Sequence, residues 1–178
     1  EWNREIVFLD KDRVEVKYLN KVKEPSSSLN IELAICLVKK NPMETILQKA
    51  TELGVNKITP IISERTEVKE LNYERAKKIV VEATEQSNQL SPPEISKVVK
   101  LKDFLNNLDS STKLLFADIN SQYNLKKETS SEVKSFSVLI GPEGDFSPSE
   151  REMILQTSNI IPFTLSKTVL RSDTAVIS

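Results

Sequence analysis

A chain of 178 residues with 25 Lys and Arg, 26 Asp and Glu and a formal charge of -1 has room for one full domain and part of a second, at about 100 to 200 residues per domain. The even charge balance excludes a protein held to nucleic acid by bulk electrostatics, so any such contact must be local. The absence of histidine excludes Ser-His-Asp and Cys-His mechanisms within the chain and every His-ligated metal site, and no metal is expected.

Residues Ile6 to Leu9, and then Val14, Val16 and Tyr18, alternate with charged neighbours, the period-2 signature of half-exposed antiparallel strands. Two strands alone do not make a stable sheet. Residues 1–28 are therefore read as part of a small β domain that ends in the linker Glu24-Pro25-Ser26-Ser27-Ser28, with a second domain over 29–178. Glu1 in place of a methionine, and the apolar Ala175-Val176-Ile177 just before Ser178, give the expectation that both ends are cut.

Ile31 to Val38 is apolar on both faces, as befits a strand covered by helices on either side. The run holds Cys36, the one cysteine, which cannot form an intramolecular disulfide and reads as a small core side chain in a reducing, cytoplasmic setting. Asn41-Pro42-Met43-Glu44 reads as an N-cap, a first-turn proline and a capping-box glutamate. Met43, Ile46, Leu47, Ala50 and Leu53 then form one apolar stripe, and Gly54 stops the helix. Lys57 to Ile62 is a second strand, and Tyr73 to about Gln89 a second helix with Ala76, Val80 and Ala83 inward. Leu114 to Ala117 is a third strand, and the polar stretch Asn120 to Lys134 a mobile loop. Ser137 to Ile140 is a strand running into Gly141-Pro142-Glu143-Gly144, after which Ser147-Pro148-Ser149-Glu150 opens a helix with a second capping box. Ile160 to Leu165 is the last strand. No apolar run approaches the roughly 18 residues that cross a bilayer, and no signal segment opens the chain.

Alternating strands and helices predict an α/β domain with a mainly parallel sheet, whose ligands bind beyond the carboxyl ends of the strands. The loops after Ile140 and Leu165 are the places to look. The chain has only 3 glycines, far below the average of about 7 %, and two of them fall in Gly141-Pro142-Glu143-Gly144. That spacing suits a tight strand-to-helix turn as well as a loop that a ligand approaches closely. It matches neither a phosphate-binding P-loop nor a dinucleotide fingerprint.

Lys49-Ala50-Thr51-Glu52-Leu53-Gly54-Val55, Arg65, Glu82-Ala83-Thr84-Glu85-Gln86-Ser87, Leu139-Ile140-Gly141-Pro142-Glu143-Gly144 with Phe146 and Glu150, and Leu170-Arg171-Ser172-Asp173-Thr174-Ala175 follow one another in this order. In these blocks the chain resembles the RsmE family of SPOUT-superfamily methyltransferases, which methylate N3 of a uridine in small-subunit (16S) ribosomal RNA. The resemblance covers about residues 30 to 177, and residues 1 to 24 are similar to the second half of the family's N-terminal PUA-like β-barrel, an RNA-binding module whose beginning would be missing. It implies a SPOUT-type α/β domain with a C-terminal trefoil knot, a homodimer built through that knot, and S-adenosylmethionine as cofactor. By the same resemblance Gly141, Pro142, Glu143 and Gly144, following Ile140, form one wall of the cofactor site. Leu165 and the loop Val169, Leu170, Arg171, Thr174 and Ala175 form another, and Ala117 and Asp118 a third. The chain departs from the family in reading Gly144-Asp145 for Gly-Gly, Leu165-Ser166 for Leu-Gly, Asp173 for Glu and Asn88-Gln89 for Gly-Arg.

Methyl transfer from a sulfonium to a ring nitrogen is an in-line displacement served by positioning, and the imide N3 of uridine becomes nucleophilic only as its proton leaves. Without histidine the base is a carboxylate, a lysine or solvent. Glu143 is the first candidate for a catalytic polar role, against the alternative of organising its own loop. Arg171 fits the pairing of a uracil oxygen or a flanking phosphate. Arg65 is a second catalytic or RNA-contacting cation, expected from across a dimer, and Glu85 and Gln86 line an RNA face. Glu52 pairs with a lysine such as Lys49. Small-subunit rRNA is the expected partner, within the small ribosomal subunit. A methyltransferase acting on another RNA such as tRNA, and a degenerate rRNA-binding relative, are the other readings.

Overall fold

The computed structural model describes residues 1–22, 29–122 and 133–178. The expected linker at Glu24 to Ser28 and most of the expected loop between Asn120 and Lys134 lie outside the described residues.

Strands β1 (Trp2–Leu9) and β2 (Val14–Lys21) form an antiparallel hairpin, as their alternation demands. Trp2 meets Tyr18 edge-on at 5.9 Å between ring centroids, and the Arg4 guanidinium lies 4.8 Å from the centre of the Tyr18 ring. Both strands are exposed along their whole length.

The second sheet is entirely parallel. Its elements follow in chain order as β3 (Asn30–Cys36), α1 (Lys40–Glu52), β4 (Lys57–Ile62), α2 (Tyr73–Gln86), β5 (Glu94–Ile95), β6 (Val99–Lys100), α3 (Leu101–Asn106), β7 (Lys113–Ala117), β8 (Ser135–Ile140), α4 (Pro148–Leu155), β9 (Ile160–Phe163) and α5 (Ser172–Ile177). The strand order is β5-β4-β3-β8-β7-β9, with β6 also pairing with β4. The two-faced apolar pattern of β3 has a direct cause. Leu33 and Ile35 point into a core with Met43, Ile46, Leu47 and Ala50 of α1 and Ala76, Ile79 and Val80 of α2. Ala34 and Cys36 point into another with Leu101, Phe104 and Leu105 of α3 and Ile154 of α4. Cutting fully buried Ile46 or Leu47 back to alanine costs about 2–5 kcal/mol at such sites.

Helix α1 begins earlier than Asn41-Pro42 suggests. Its N-cap is Lys39, without a side-chain cap, and Pro42 sits inside the first turn. Proline loses nothing there because the first four N–H groups of a helix have no intrahelical acceptor. Glu44, freed from a capping box, takes Arg75 of α2 with both oxygens, at 3.2 and 2.9 Å. Leu53 is the C-cap and 60 % exposed rather than part of the stripe, and Gly54 turns the chain at φ 86°. The short elements β5, β6, α3 and α5 escape the periodicity, because two- and six-residue segments hold too few repeats to show one.

Candidate active site

Three loops meet beyond the carboxyl ends of β7, β8 and β9. The first follows Ile140. The Asp145 N–H donates to the Pro142 carbonyl at 3.0 Å, closing a turn in which Asp145 takes φ 60° and its carboxylate accepts the Phe146 N–H at 2.7 Å. Aspartate tolerates this left-handed conformation, so it serves where the resembled family has a second glycine. Phe146 then turns inward against Phe116, with ring centroids 5.8 Å apart. It also lies on Gly141, where an added Cβ would sit 3.0 Å from the ring. A side chain at Gly141 would press on the Phe146 ring, whereas a Cβ at Gly144 would make ordinary contact with Arg65. The capping box of Ser147 and Glu150 fixes the start of α4 as its sequence predicts.

The second loop begins at Thr164, since β9 ends at Phe163 and not at Leu165. Thr164 Oγ1 donates to the Ser166 carbonyl at 2.9 Å, and the Thr168 N–H donates to Ser166 Oγ at 3.1 Å, so Ser166 organises the turn through its hydroxyl. The loop is latched to the first one where buried Ser172 donates to the Gly141 carbonyl at 3.2 Å. The third loop, after Ala117, is fixed by Asp118. Its Oδ2 accepts Arg151 Nη2 at 2.6 Å and Nε at 3.1 Å, while Oδ1 accepts the Asn120 N–H at 3.0 Å. Asp118 thereby raises the Arg151 pKa above its ordinary value.

These loops enclose a cavity of about 170 Å³. Ala117, Asp118, Ile140, Gly141, Pro142, Glu143, Leu165, Val169, Leu170 and Ala175 line it, with Ser172 from the same expected loop, as do Ile119, Asp145, Thr164, Ser166 and Thr168, which sequence reasoning missed. The alternation Thr164, Ser166, Thr168 is the signal that could have found three of these, since it is polar where a buried strand would be apolar. Glu143, Val169 and Leu170 also border an adjoining cleft of about 690 Å³, which Arg171 lines together with Lys39, Lys40, Asn41 and Pro42. Cavity and cleft together fall within the size range of a small-molecule site.

Five expected residues, Gly144, Thr174, Arg65, Glu85 and Gln86, lie outside both spaces, and Arg171, expected in the cofactor wall, lines only the outer cleft. Residues 172–177 are helical, which sends Thr174 to the exposed side of α5 and out of both spaces, while Ala175 turns inward. Arg65 acts within its own chain, donating from Nη1 to the Gly144 carbonyl at 2.9 Å, so it braces the first loop from outside the cavity. Glu85 and Gln86 are exposed at the C-terminus of α2. That end is the opposite end of the sheet, where Gln89 Nε2 caps α1 by donating to the Thr51 and Glu52 carbonyls at 2.5 and 3.1 Å. Asn88 precedes it at φ 54°, a left-handed residue where the resembled family has glycine. Glu52 pairs with Lys49 at 2.7 Å. Among the described residues, no group of three or more Cys, Asp or Glu side chains could hold a metal ion, and no helix is long and apolar enough to cross a membrane.

Known proteins share this fold and sequence pattern. Residues 24–178 match the family model of an RNA methyltransferase domain. The chain is 30 % identical over 184 residues to ribosomal RNA small subunit methyltransferase E of Rickettsia conorii, covering 100 % of this chain and 73 % of that one. It is 39 % identical over 140 residues to the Aquifex aeolicus protein of the same name, covering 76 % and 59 %. The crystal structure of a ribosomal RNA small subunit methyltransferase E from Neisseria gonorrhoeae, bound to S-adenosyl methionine, superposes with a TM-score of 0.88 at 29 % identity, over 99 % of this chain and 74 % of that one. The chain belongs to the ribosomal RNA small subunit methyltransferase E family.

Proposed function

We propose that the protein is a cytoplasmic, S-adenosylmethionine-dependent methyltransferase acting on N3 of a uridine in small-subunit (16S) ribosomal RNA, within the small ribosomal subunit. The observation that carries this reading is the cavity at the ends of β7, β8 and β9, which opens through Glu143, Val169 and Leu170 onto a wider cleft lined by Arg171. The walls fit the cofactor in kind. Ile140, Leu165 and Leu170 offer apolar cover for an adenine ring, Thr164, Ser166 and Thr168 offer hydroxyls, and Glu143 is a carboxylate for a cationic donor. When bound, S-adenosylmethionine supplies an electrophilic methyl group. In this reading Glu143, which borders both spaces, accepts the N3 proton of a base presented from the cleft, and Arg171, which lines the cleft, stabilises the negative charge that then develops on the uracil oxygens.

The same reading extends to the chain's larger organisation. β9 lies at the sheet edge, yet the segment after it returns to Gly141 and packs α5 against α1 and β8, which supports a trefoil knot at residues 164–178. Val169, 80 % exposed, and Ile177, 49 % exposed, support closure of the knot against a second copy in a homodimer. The hairpin of β1 and β2, with Trp2, Ile6 and Val16 exposed, fits a piece of a PUA-like RNA-binding barrel over residues 1–28.

The test is incubation with methyl-labelled S-adenosylmethionine and small subunits from a strain lacking the enzyme, beside tRNA from the same strain. Labelled 3-methyluridine in small-subunit RNA alone is the expected result. Label in tRNA, or none with a protein that binds the cofactor, overturns it.

A further inference from the structure

Resting on the methyltransferase reading, we propose that Lys39 and Lys40 form a phosphodiester-binding wall of the outer cleft, holding the RNA backbone beside the nucleotide whose base reaches Glu143. The chain as a whole carries a formal charge of -1, yet among the described residues the charged side chains lining this cleft are Lys39, Lys40 and Arg171 against the carboxylate of Glu143. The two lysines line the cleft and not the inner cavity, so they stand on the acceptor's side of the Glu143–Val169–Leu170 boundary. Fold topology puts them there, because β3 ends at Cys36 beside β8 and its chain enters α1 directly, with Leu37 and Val38 buried and Lys39 and Lys40 exposed.

Neither lysine is committed to a strong partner. Lys39 Nζ lies 3.8 Å from Glu67 in an exposed pair, the kind that yields easily to a stronger anion. An ammonium on a four-carbon stem is a mobile point charge, suited to a backbone phosphate whose exact position varies and which carries no sequence information. Base recognition is left to Glu143 at the boundary of the two spaces and to Arg171 in the cleft.

The test reads binding and catalysis separately. A short, fluorescein-labelled single-stranded RNA containing uridine is titrated with the wild-type protein and with Lys39→Gln/Lys40→Gln at several salt concentrations. The log-log salt slope should be shallower in the double variant by about 1.4, at roughly 0.7 per single-strand phosphate contact. In steady-state methyl transfer the variant's KM for RNA should rise with kcat and cofactor affinity unchanged, Lys39→Arg/Lys40→Arg should restore it, and Lys78→Gln, on the exposed face of α2, should change nothing. A wild-type slope and KM in the double variant overturn the proposal, and so does weakened S-adenosylmethionine binding, which would assign the lysines to the cofactor carboxylate. If the double variant shows the shallower slope but the wild type transfers no methyl group, the methyltransferase reading falls and the phosphate wall stands.

Discussion

The carboxylate of Glu150 accepts the backbone N–H of Glu64, 86 residues earlier in the chain, at 2.8 Å. Its other oxygen accepts the Ser147 N–H at 3.1 Å, completing the cap of α4. A buried side chain thereby ties the loop after β4 to the turn that seats Phe146 beneath Gly141.

Removing that tie should be costly. Glu150→Ala leaves two backbone donors without their charged acceptor, a loss of about 2–4 kcal/mol at typical values for a buried charge-assisted bond and a cap. For a chain of this size each kcal/mol lowers Tm by about 2–4 °C. Thermal unfolding followed by circular dichroism checks the value, and Glu150→Gln, which keeps an acceptor oxygen, should lose less. A Tm within about 2 °C of wild type for Glu150→Ala contradicts the argument.

Gly141 and Phe146 should behave as one unit. Gly141→Ala drives a methyl group into the ring, at about 1–3 kcal/mol for an overpacked site, and should weaken cofactor binding because Gly141 lines the cavity. Phe146→Leu removes the ring atoms concerned. In that background the added cost of Gly141→Ala should shrink by at least about 0.5 kcal/mol, the coupling expected of residues in contact. Additive costs in the double-mutant cycle would show that the ring is not what requires a glycine here.

The sheet and its main helices were legible because each carries several repeats of its period, as β3 does with Leu33, Ile35 and Leu37 set against Ala34 and Cys36. The cavity was legible from the blocks at Gly141 and Leu170, and ten of the expected cofactor residues do line one space. What could not be read was which atoms supply a conformation. Asp145 and Asn88 take the left-handed backbone where the family pattern has glycine, and Ser166 needs no such backbone at all. The roles of Arg65 and Gln89 depend on contacts 79 and 38 residues away in sequence, to Gly144 and Thr51, which no local pattern encodes. Thr174 was misplaced because α5 is too short to announce itself, and one helical step separates an outward Thr174 from an inward Ala175.

Cys36 should be inert at neutral and mildly alkaline pH. Burial, despite hydrogen bonds with Ser63 and Thr66, pushes its thiol from 9.0 up to about 12. The folded state therefore holds the proton more tightly than the unfolded chain does. That contribution to stability is complete below pH 9 and is lost as pH rises toward about 12. The native protein should resist alkylation by iodoacetamide at pH 8.5 and react at once in denaturant, and its urea midpoint should fall as the pH is raised above 9. Rapid native-state alkylation would show the thiol to be accessible.

Arg171 should separate chemistry from cofactor binding. It lines the outer cleft and not the cavity, and its side chain is 67 % exposed, with Nη2 3.4 Å from the Asp173 carboxylate. An exposed pair with Asp173 yields easily, so under the proposed function the planar donors meet negative charge that develops on an acceptor base and contribute little to a ligand behind Leu170. Removing one preorganised donor to such a charge typically lowers kcat by about 100- to 1000-fold. Arg171→Ala should show a loss of that order, with the S-adenosylmethionine Kd, measured by calorimetry, within about threefold of wild type. Arg171→Lys keeps the charge but not the paired donors and should recover only part of the rate. Arg171 is also the N-cap of α5, but through its backbone, with no side-chain cap, so truncation should leave the loop in place. Equal losses in kcat and cofactor affinity would mean that the side chain holds the cavity wall instead of serving the reaction.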